Sequence, residues 1–154
     1  MVEAVDEAAE GGHELKAVLL RAGNELFAVD ALSVVEVVVR GPVTPVPYSA
    51  RHFVGLCVVA GRLLPVSSLR MLLDVPVGEP AMTLPRLVIL SDGDAEVAFA
   101  CEEAVGVRTL GYSPSAGEGR LSTGVADWND TEVIVLDVPQ LIEEAMAHTK
   151  EGER

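Results

Sequence analysis

An all-β fold with a few short helices is what this sequence predicts, on three observations. Apolar runs of strand length recur along the chain, punctuated by Gly, Asn, Asp and Pro. Valine dominates these runs: hydrophobic residues make up 49% of the chain but aromatics only 4%, and a branched Cβ packs well on a pleated surface. Helical spacing of apolar residues is confined to short stretches, Leu69 to Leu73 and Leu141 to Met146. About ten short strands with so few helices fit barrels or a sandwich and disfavour a parallel α/β sheet. At 154 residues the chain is one domain or two tightly merged ones, able to bury roughly 68–70% of its unfolded surface.

Residues 1–13 are acidic and rich in small residues and read as a disordered arm; 149–154 read as a polar tail, leaving 14–148 as the folded unit. Leu15 to Leu20 and Glu25 to Val29 flank Gly23-Asn24, a hairpin turn. Ala31-Leu32-Ser33 makes a single helical turn before a strand over Val34 to Arg40. Gly41-Pro42, Pro45 and Pro47 then hold an extended loop, because proline fixes φ and cannot donate to a ladder. Phe53 to Ala60 and Leu63 to Val66 are two strands folded against each other about Gly61-Arg62. Ser67-Ser68 ends the second of them and caps a short helix over Leu69 to Leu73.

After a loop from Asp74 to Leu84, the strand rhythm resumes. Arg86 to Ser91 and Ala95 to Cys101 flank the turn Asp92-Gly93-Asp94. Further strands fit Ala104 to Leu110, Leu121 to Ala126 and Glu132 to Leu136, the last two separated by a turn over Asp127-Trp128-Asn129-Asp130. Asp137 caps the closing helix, with Gln140 three residues on, and Leu141, Ile142, Ala145 and Met146 form its apolar stripe.

The charge excludes some functions. A net charge of −13 would repel nucleic acid and anionic membrane surfaces, which need clustered Lys and Arg. No apolar run approaches 18 residues, and the acidic start is no signal peptide, so a cytoplasmic protein without membrane insertion is expected. Cys57 and Cys101 lie in apolar runs and read as buried free thiols.

No catalytic constellation stands out. His13, His52 and His148 share no metal-ligand spacing, Ser67-Ser68 lacks a nucleophile elbow, Asp92-Gly93-Asp94 lacks the further ligands of a calcium loop, and Gly117-Glu118-Gly119 lacks a phosphate-loop lysine. The expectation is a protein without enzymatic activity, metal or cofactor. One residue resists a bland account: Glu36 interrupts Val34-Val35 and Val37-Val38-Val39 on an apolar strand. It is either an outward position on a half-exposed strand or a charge at the rim of an apolar binding groove.

Several pieces then come in a telling order. Phe27-Ala28-Val29-Asp30 precedes Val34-Val35-Glu36-Val37; Pro45-Val46-Pro47 follows; then come Gly55, Gly61-Arg62, Pro65-Val66 and Leu69-Arg70. Glu102 to Val107, Gly124-Val125-Ala126 and Val133 to Ile142 complete the set. From about Leu15 to Met146 this order resembles the CheW-like domain, the adaptor module of bacterial chemosensory systems. The resemblance implies two intertwined five-stranded barrels of the Src-homology-3 type and a C-terminal helix. It further implies a scaffold that docks the tip of a chemoreceptor signalling domain into an apolar groove and contacts the regulatory domain of a CheA-type histidine kinase.

The residues carried over for receptor and kinase binding are Val34, Glu36, Val37, Val58, Ala60 and Arg62. The family's Asn-Leu-Arg-Gly is here Val58-Val59-Ala60-Gly61, and its aspartate before Leu-Arg is Ser68. In the family that arginine can pair with the glutamate matching Glu36. A buried Glu36 stripped of its partner would cost about 3–5 kcal/mol, so Glu36 is expected either to be solvated or to pair elsewhere, with Arg40 or Arg62. The alternative function is a small-molecule-binding β-barrel without catalytic activity.

Overall fold

The computed structural model describes residues 13–76, 84–114 and 121–152, with side chains as far as 146. Ten strands run in the order β1 (His13–Ala22), β2 (Glu25–Asp30), β3 (Val34–Val39), β4 (Phe53–Val59), β5 (Arg62–Ser68), β6 (Arg86–Ser91), β7 (Glu96–Cys101), β8 (Glu103–Pro114), β9 (Ser122–Trp128) and β10 (Thr131–Leu136). A 3-10 turn over Ala31–Ser33 precedes β3, α1 (Leu69–Leu72) follows β5, and α2 (Val138–Gly152) closes the chain. β1 begins at His13, inside the expected arm, and the helix backbone runs on to Gly152, past the expected boundary at 148. The Gly117-Glu118-Gly119 segment, read as a loop, and most of the 74–84 loop lie outside the described residues.

The strands form two sheets. One closes as a barrel in the order β1-β2-β10-β9-β8; the other has five strands in the order β3-β6-β7-β5-β4. The second sheet is built from consecutive strands inserted between β2 and β8, so the barrel is completed only when the chain returns. The two expected five-stranded units are present, one as a closed barrel and the other as an open sheet. The second sheet stays open between its edges β3 and β4; among the described residues an isolated bridge ties β4 to the segment after β3, Thr44 and Leu56 exchanging backbone hydrogen bonds of 2.8 and 2.9 Å. The segment beyond β3 carries Pro42, Pro45 and Pro47, and a proline has no N–H to extend such a bridge into a ladder.

Turn chemistry sets the hairpin registers. Val59 pairs with Arg62, so Ala60 and Gly61 are a two-residue turn with φ of 51° and 81°, the type I′ pattern. The strand therefore ends at Val59, one residue before the expected end. Thr131 pairs with Trp128, so the expected four-residue turn shrinks to Asn129-Asp130, both again at positive φ. In the β6–β7 loop, Asp92 Oδ1 accepts the amides of Ala95 and Asp94, each at 2.9 Å, which together hold this carboxyl below its ordinary value, Ala95 most strongly. Gly55 has φ of 153°, and a Cβ there would fall on the Thr44 carbonyl oxygen. Only glycine lets the bridge close.

Strand alternation distributes the core over three compartments. Ala17, Leu19, Ala28, Leu110, Ala126, Val133 and Val135 fill the closed barrel. Val54, Cys57, Val59, Leu64, Val66, Leu87, Ile89, Ala98 and Ala100 line the concave side of the second sheet. The residues between them point the other way: Val18, Leu20, Val88, Leu90, Val97, Phe99 and Cys101 meet Leu141, Ile142 and Ala145 of α2 in a core shared by both sheets. β1, β6 and β7 are buried on both faces, which is why they read as continuous apolar runs rather than alternating ones. Asp137 Oδ1 accepts the Gln140 amide at 3.1 Å and caps α2 as expected. Met146, assigned to the apolar stripe, is instead 39% exposed, one residue beyond Ala145, the last member of the shared core on this helix.

Candidate functional site

β3 is an edge strand, and its side chains alternate between two environments. Glu36 lies opposite Ile89, and Val38 opposite Leu87, so both face the concave side of the second sheet. A register shift between Val34 and Glu36 takes up Val35 as a bulge and turns Val34 the other way, where it packs half-buried against the shared core. Val37 stands on the face opposite Glu36, 41% exposed.

The β4–β5 hairpin supplies the rest. Because its turn takes only Ala60 and Gly61, Val58 falls opposite Leu63 and both point outward, 67% and 65% exposed. Arg62 and Leu64 then face the concave side, Arg62 nearest the mouth. Its guanidinium reaches two carboxylates: Nη1 donates to Glu96 Oε1 at 2.8 Å, and Nη2 lies 3.7 Å from Glu36 Oε1. Glu96 belongs to β7, one alternation step before Ala98. Three strands distant in sequence thus close one mouth of the second sheet with a Glu–Arg–Glu cluster. The Arg62 Nε is buried without a hydrogen-bond partner, so the guanidinium is held by its forked end.

Of the six carried-over residues, Glu36 and Arg62 come into contact, which settles the choice between Arg62 and Arg40; the Arg40 guanidinium donates instead to the Gly41 carbonyl at 3.0 Å. Val37 and Val58 are outward apolar groups, Ala60 is an exposed turn residue and Val34 is mostly inside. The expected helix cap at Ser68 is observed, its Oγ accepting the Met71 amide at 3.2 Å. Two residues were missed. Leu63 was legible, since a two-residue Ala60-Gly61 turn forces it opposite Val58. Glu96 was not, because nothing local marks it as the partner of a residue two strands away.

Other features have simpler chemistry. Cys101 is fully buried; desolvation pushes its thiol up to about 12, although Sγ donates weakly to the Glu103 carbonyl at 3.7 Å. Burial raises Cys57 as well. Buried His52 contacts the Ala145 carbonyl through Nε2 at 3.4 Å. Among the described residues no group of three or more His, Cys, Asp or Glu is placed to hold a metal, and no helix is long and apolar enough to cross a membrane. A cleft of about 380 Å³ lies at the barrel mouth between Leu15, Asp30, Tyr112 and Pro139, and contains none of the six.

Comparison with known proteins bears on the family and the fold. A protein of Thermotoga maritima named chemotaxis protein CheW is 29% identical over 136 residues, covering 84% of this chain and 87% of that protein. Another of that name, from Rhizobium meliloti, is 27% identical over 105 residues, covering 68% of this chain and 65% of that one. Among solved structures, the scaffolding protein TtCheW of Thermoanaerobacter tengcongensis superposes with a TM-score of 0.74 at 19% identity, covering 84% of this chain and 92% of that one, a likeness of fold. Residues 16–146 match the CheW-like domain, and the chain belongs to that family.

Proposed function

We propose that this protein is a cytoplasmic chemosensory adaptor that couples a chemoreceptor signalling domain to the regulatory domain of a CheA-type histidine kinase by protein–protein binding. Family membership across residues 16–146 supports the pathway. The observation that carries the mode of action is the pairing of outward apolar groups, Val37, Val58 and Leu63, with the charge cluster behind them. Apolar groups held on rigid strands can anchor a partner, and a fixed ion-paired rim adds orientation.

The barrel interior favours this reading over the ligand-binding alternative. Leu19, Leu110, Val133 and Val135 with their neighbours fill the closed barrel with the chain's own side chains.

Keeping Val34 and Glu36 while Ala60 and Ser68 replace charged family residues points to a selective adaptor, with receptor docking kept and kinase or array contacts altered. Apolar contacts of this kind contribute about 25 cal/mol per Å² buried, and association entropy consumes much of it, so the expected affinity is micromolar. The test is calorimetric titration of the full chain with a receptor signalling fragment and, separately, with a kinase regulatory domain. Micromolar binding to the receptor that Val37→Asp or Val58→Asp weakens, with feebler kinase binding, supports the proposal. Equal, strong binding to both removes the selective element, and binding to neither removes the adaptor role.

A further inference from the structure

The opposite end of the second sheet carries a charge pattern that the adaptor reading does not use. Between Glu36 and Asp74 the chain has no Asp or Glu, although 24 of them give the whole protein its net charge of −13. The same stretch holds four arginines, of which Arg62 serves the cluster described above.

The sheet topology gathers others at the far end. Val39, the last residue of β3, lies opposite Arg86, the first of β6, and the Arg40 amide donates to the Pro85 carbonyl at 2.9 Å. β5 ends at this edge, since Ser68 pairs with Ala100 beside Cys101, the partner of Arg86. β4 starts there too, with Phe53 opposite Ser67 and Arg51 two residues earlier. Arg40, Arg51 and Arg86 therefore emerge at one end; none forms a salt bridge among the described residues, and the carboxylates that follow Cys101 there are engaged by other groups, Glu102 by the Gly23 amide and Glu103 by Arg21.

A strained aromatic sits in the same segment. Val46-Pro47-Tyr48-Ser49 places proline where a type II turn prefers it and Tyr48 where that turn requires positive φ, normally glycine. Tyr48 has φ of 64°, and the Ser49 hydroxyl donates to the Val46 carbonyl at 2.7 Å across the turn. A bulky residue at positive φ is a rare conformer, yet Tyr48 gains no burial in return: it is 92% exposed. Val39 and Val46 are exposed apolar groups on the same segment.

We propose that this basic end, Arg40, Arg51 and Arg86 around Tyr48, is a second docking surface that takes an acidic segment of a partner protein bearing an apolar side chain. The arginines match its carboxylates, and Tyr48 is a preorganised aromatic anchor on a proline-stiffened loop. Screening makes a local patch sufficient: at physiological ionic strength charges beyond about 8 Å are largely hidden, so a short peptide senses the arginines rather than the net charge. A nucleic acid or an anionic bilayer spreads past the patch onto the acidic remainder and is repelled. The surface lies at the end of the sheet opposite the Glu36–Arg62–Glu96 mouth and stands independently of the receptor and kinase assignment.

The experiment uses the full chain and a fluorescein-labelled peptide alternating Glu with Leu, read by anisotropy. The wild type is expected to bind it, more weakly as salt rises. Arg40→Glu/Arg51→Glu/Arg86→Glu should weaken binding about tenfold or more, while Arg108→Glu, on β8 of the other sheet, should leave it unchanged. Tyr48→Gly should lower affinity while raising the melting temperature, which separates anchoring from structural support. The proposal is overturned if the wild type does not bind, if the triple or the Tyr48→Gly variant binds like wild type, or if Arg108→Glu is equally damaging. It is also overturned if duplex DNA or phosphatidylserine vesicles bind this end more tightly than the peptide. Sedimentation showing that the three arginines instead drive self-association would assign the end to a second copy and overturn it.

Discussion

Replacing Arg62 by Met keeps an aliphatic stem at the mouth of the second sheet and removes the guanidinium that bridges Glu36 and Glu96. With an effective dielectric constant of about 20, the pairs at 2.8 and 3.7 Å have gross attractions of about 6 and about 4.5 kcal/mol. Most of that does not survive as stability, because each of the three side chains is about a third exposed and water competes for every charge. Partly exposed pairs contribute about 0.2–1 kcal/mol each, and Arg62→Met also leaves two carboxylates facing one another, so a net loss of about 1–2 kcal/mol is expected. Urea unfolding followed by circular dichroism and by fluorescence of the single Trp128 measures it. The double-mutant cycle with Glu36→Gln isolates the Glu36–Arg62 coupling, which should be positive and shrink in 1 M salt. A loss below about 0.3 kcal/mol, or no coupling in the cycle, would refute the view that Arg62 replaces the family arginine as the partner of Glu36.

Gly55→Ala should destabilise by about 2–4 kcal/mol or prevent folding, because its Cβ meets the Thr44 carbonyl at a φ that side chains avoid; thermal melting reads this directly. Ala60→Asn should raise stability by about 0.5–1 kcal/mol, since Asn-Gly suits a type I′ turn that alanine enters only at positive φ. Cys101 should resist Ellman's reagent in the native state and react only on unfolding, as its buried thiol stays protonated up to about 12. Its pKa is raised on folding, so its contribution is fully present below the ordinary value of 9.0 and is lost as pH rises toward about 12. Over that window the unfolding free energy of wild type should fall about 1.4 kcal/mol per pH unit more steeply than that of Cys101→Ala; parallel slopes would show the thiol does not titrate differently in the two states.

Much of the fold is local information and was legible as such. β6 is found over Arg86–Ser91, as expected, because an uninterrupted apolar run ends at a turn that Asp92 builds from its own side chain. The 3-10 turn over Ala31–Ser33, the Ser68 cap and the Asp137 cap are likewise contacts within a few residues. Part of the site was legible for the same reason: Glu36 stood out as a charge on an apolar strand, and Arg62 was one of its two foreseen partners. Boundaries moved where pairing with a distant strand extended an element, as in β8, which runs from Glu103 to Pro114 because β1 and β9 both pair with it.

By itself, then, the sequence determined the strands, their tight turns and the order of pieces that marks the CheW-like family, because these depend on side-chain branching, φ preferences and short-range hydrogen bonds. Tertiary structure alone decided which sheet closes, since the prolines after β3 limit the meeting of that segment with β4 to an isolated bridge among the described residues. It also decided that Arg62 binds Glu96 as well as Glu36, and that Arg40, Arg51 and Arg86 share one end. The physical reason is the same in each case: charges find partners through space, and which strands lie side by side is set by the register and packing of the whole sheet.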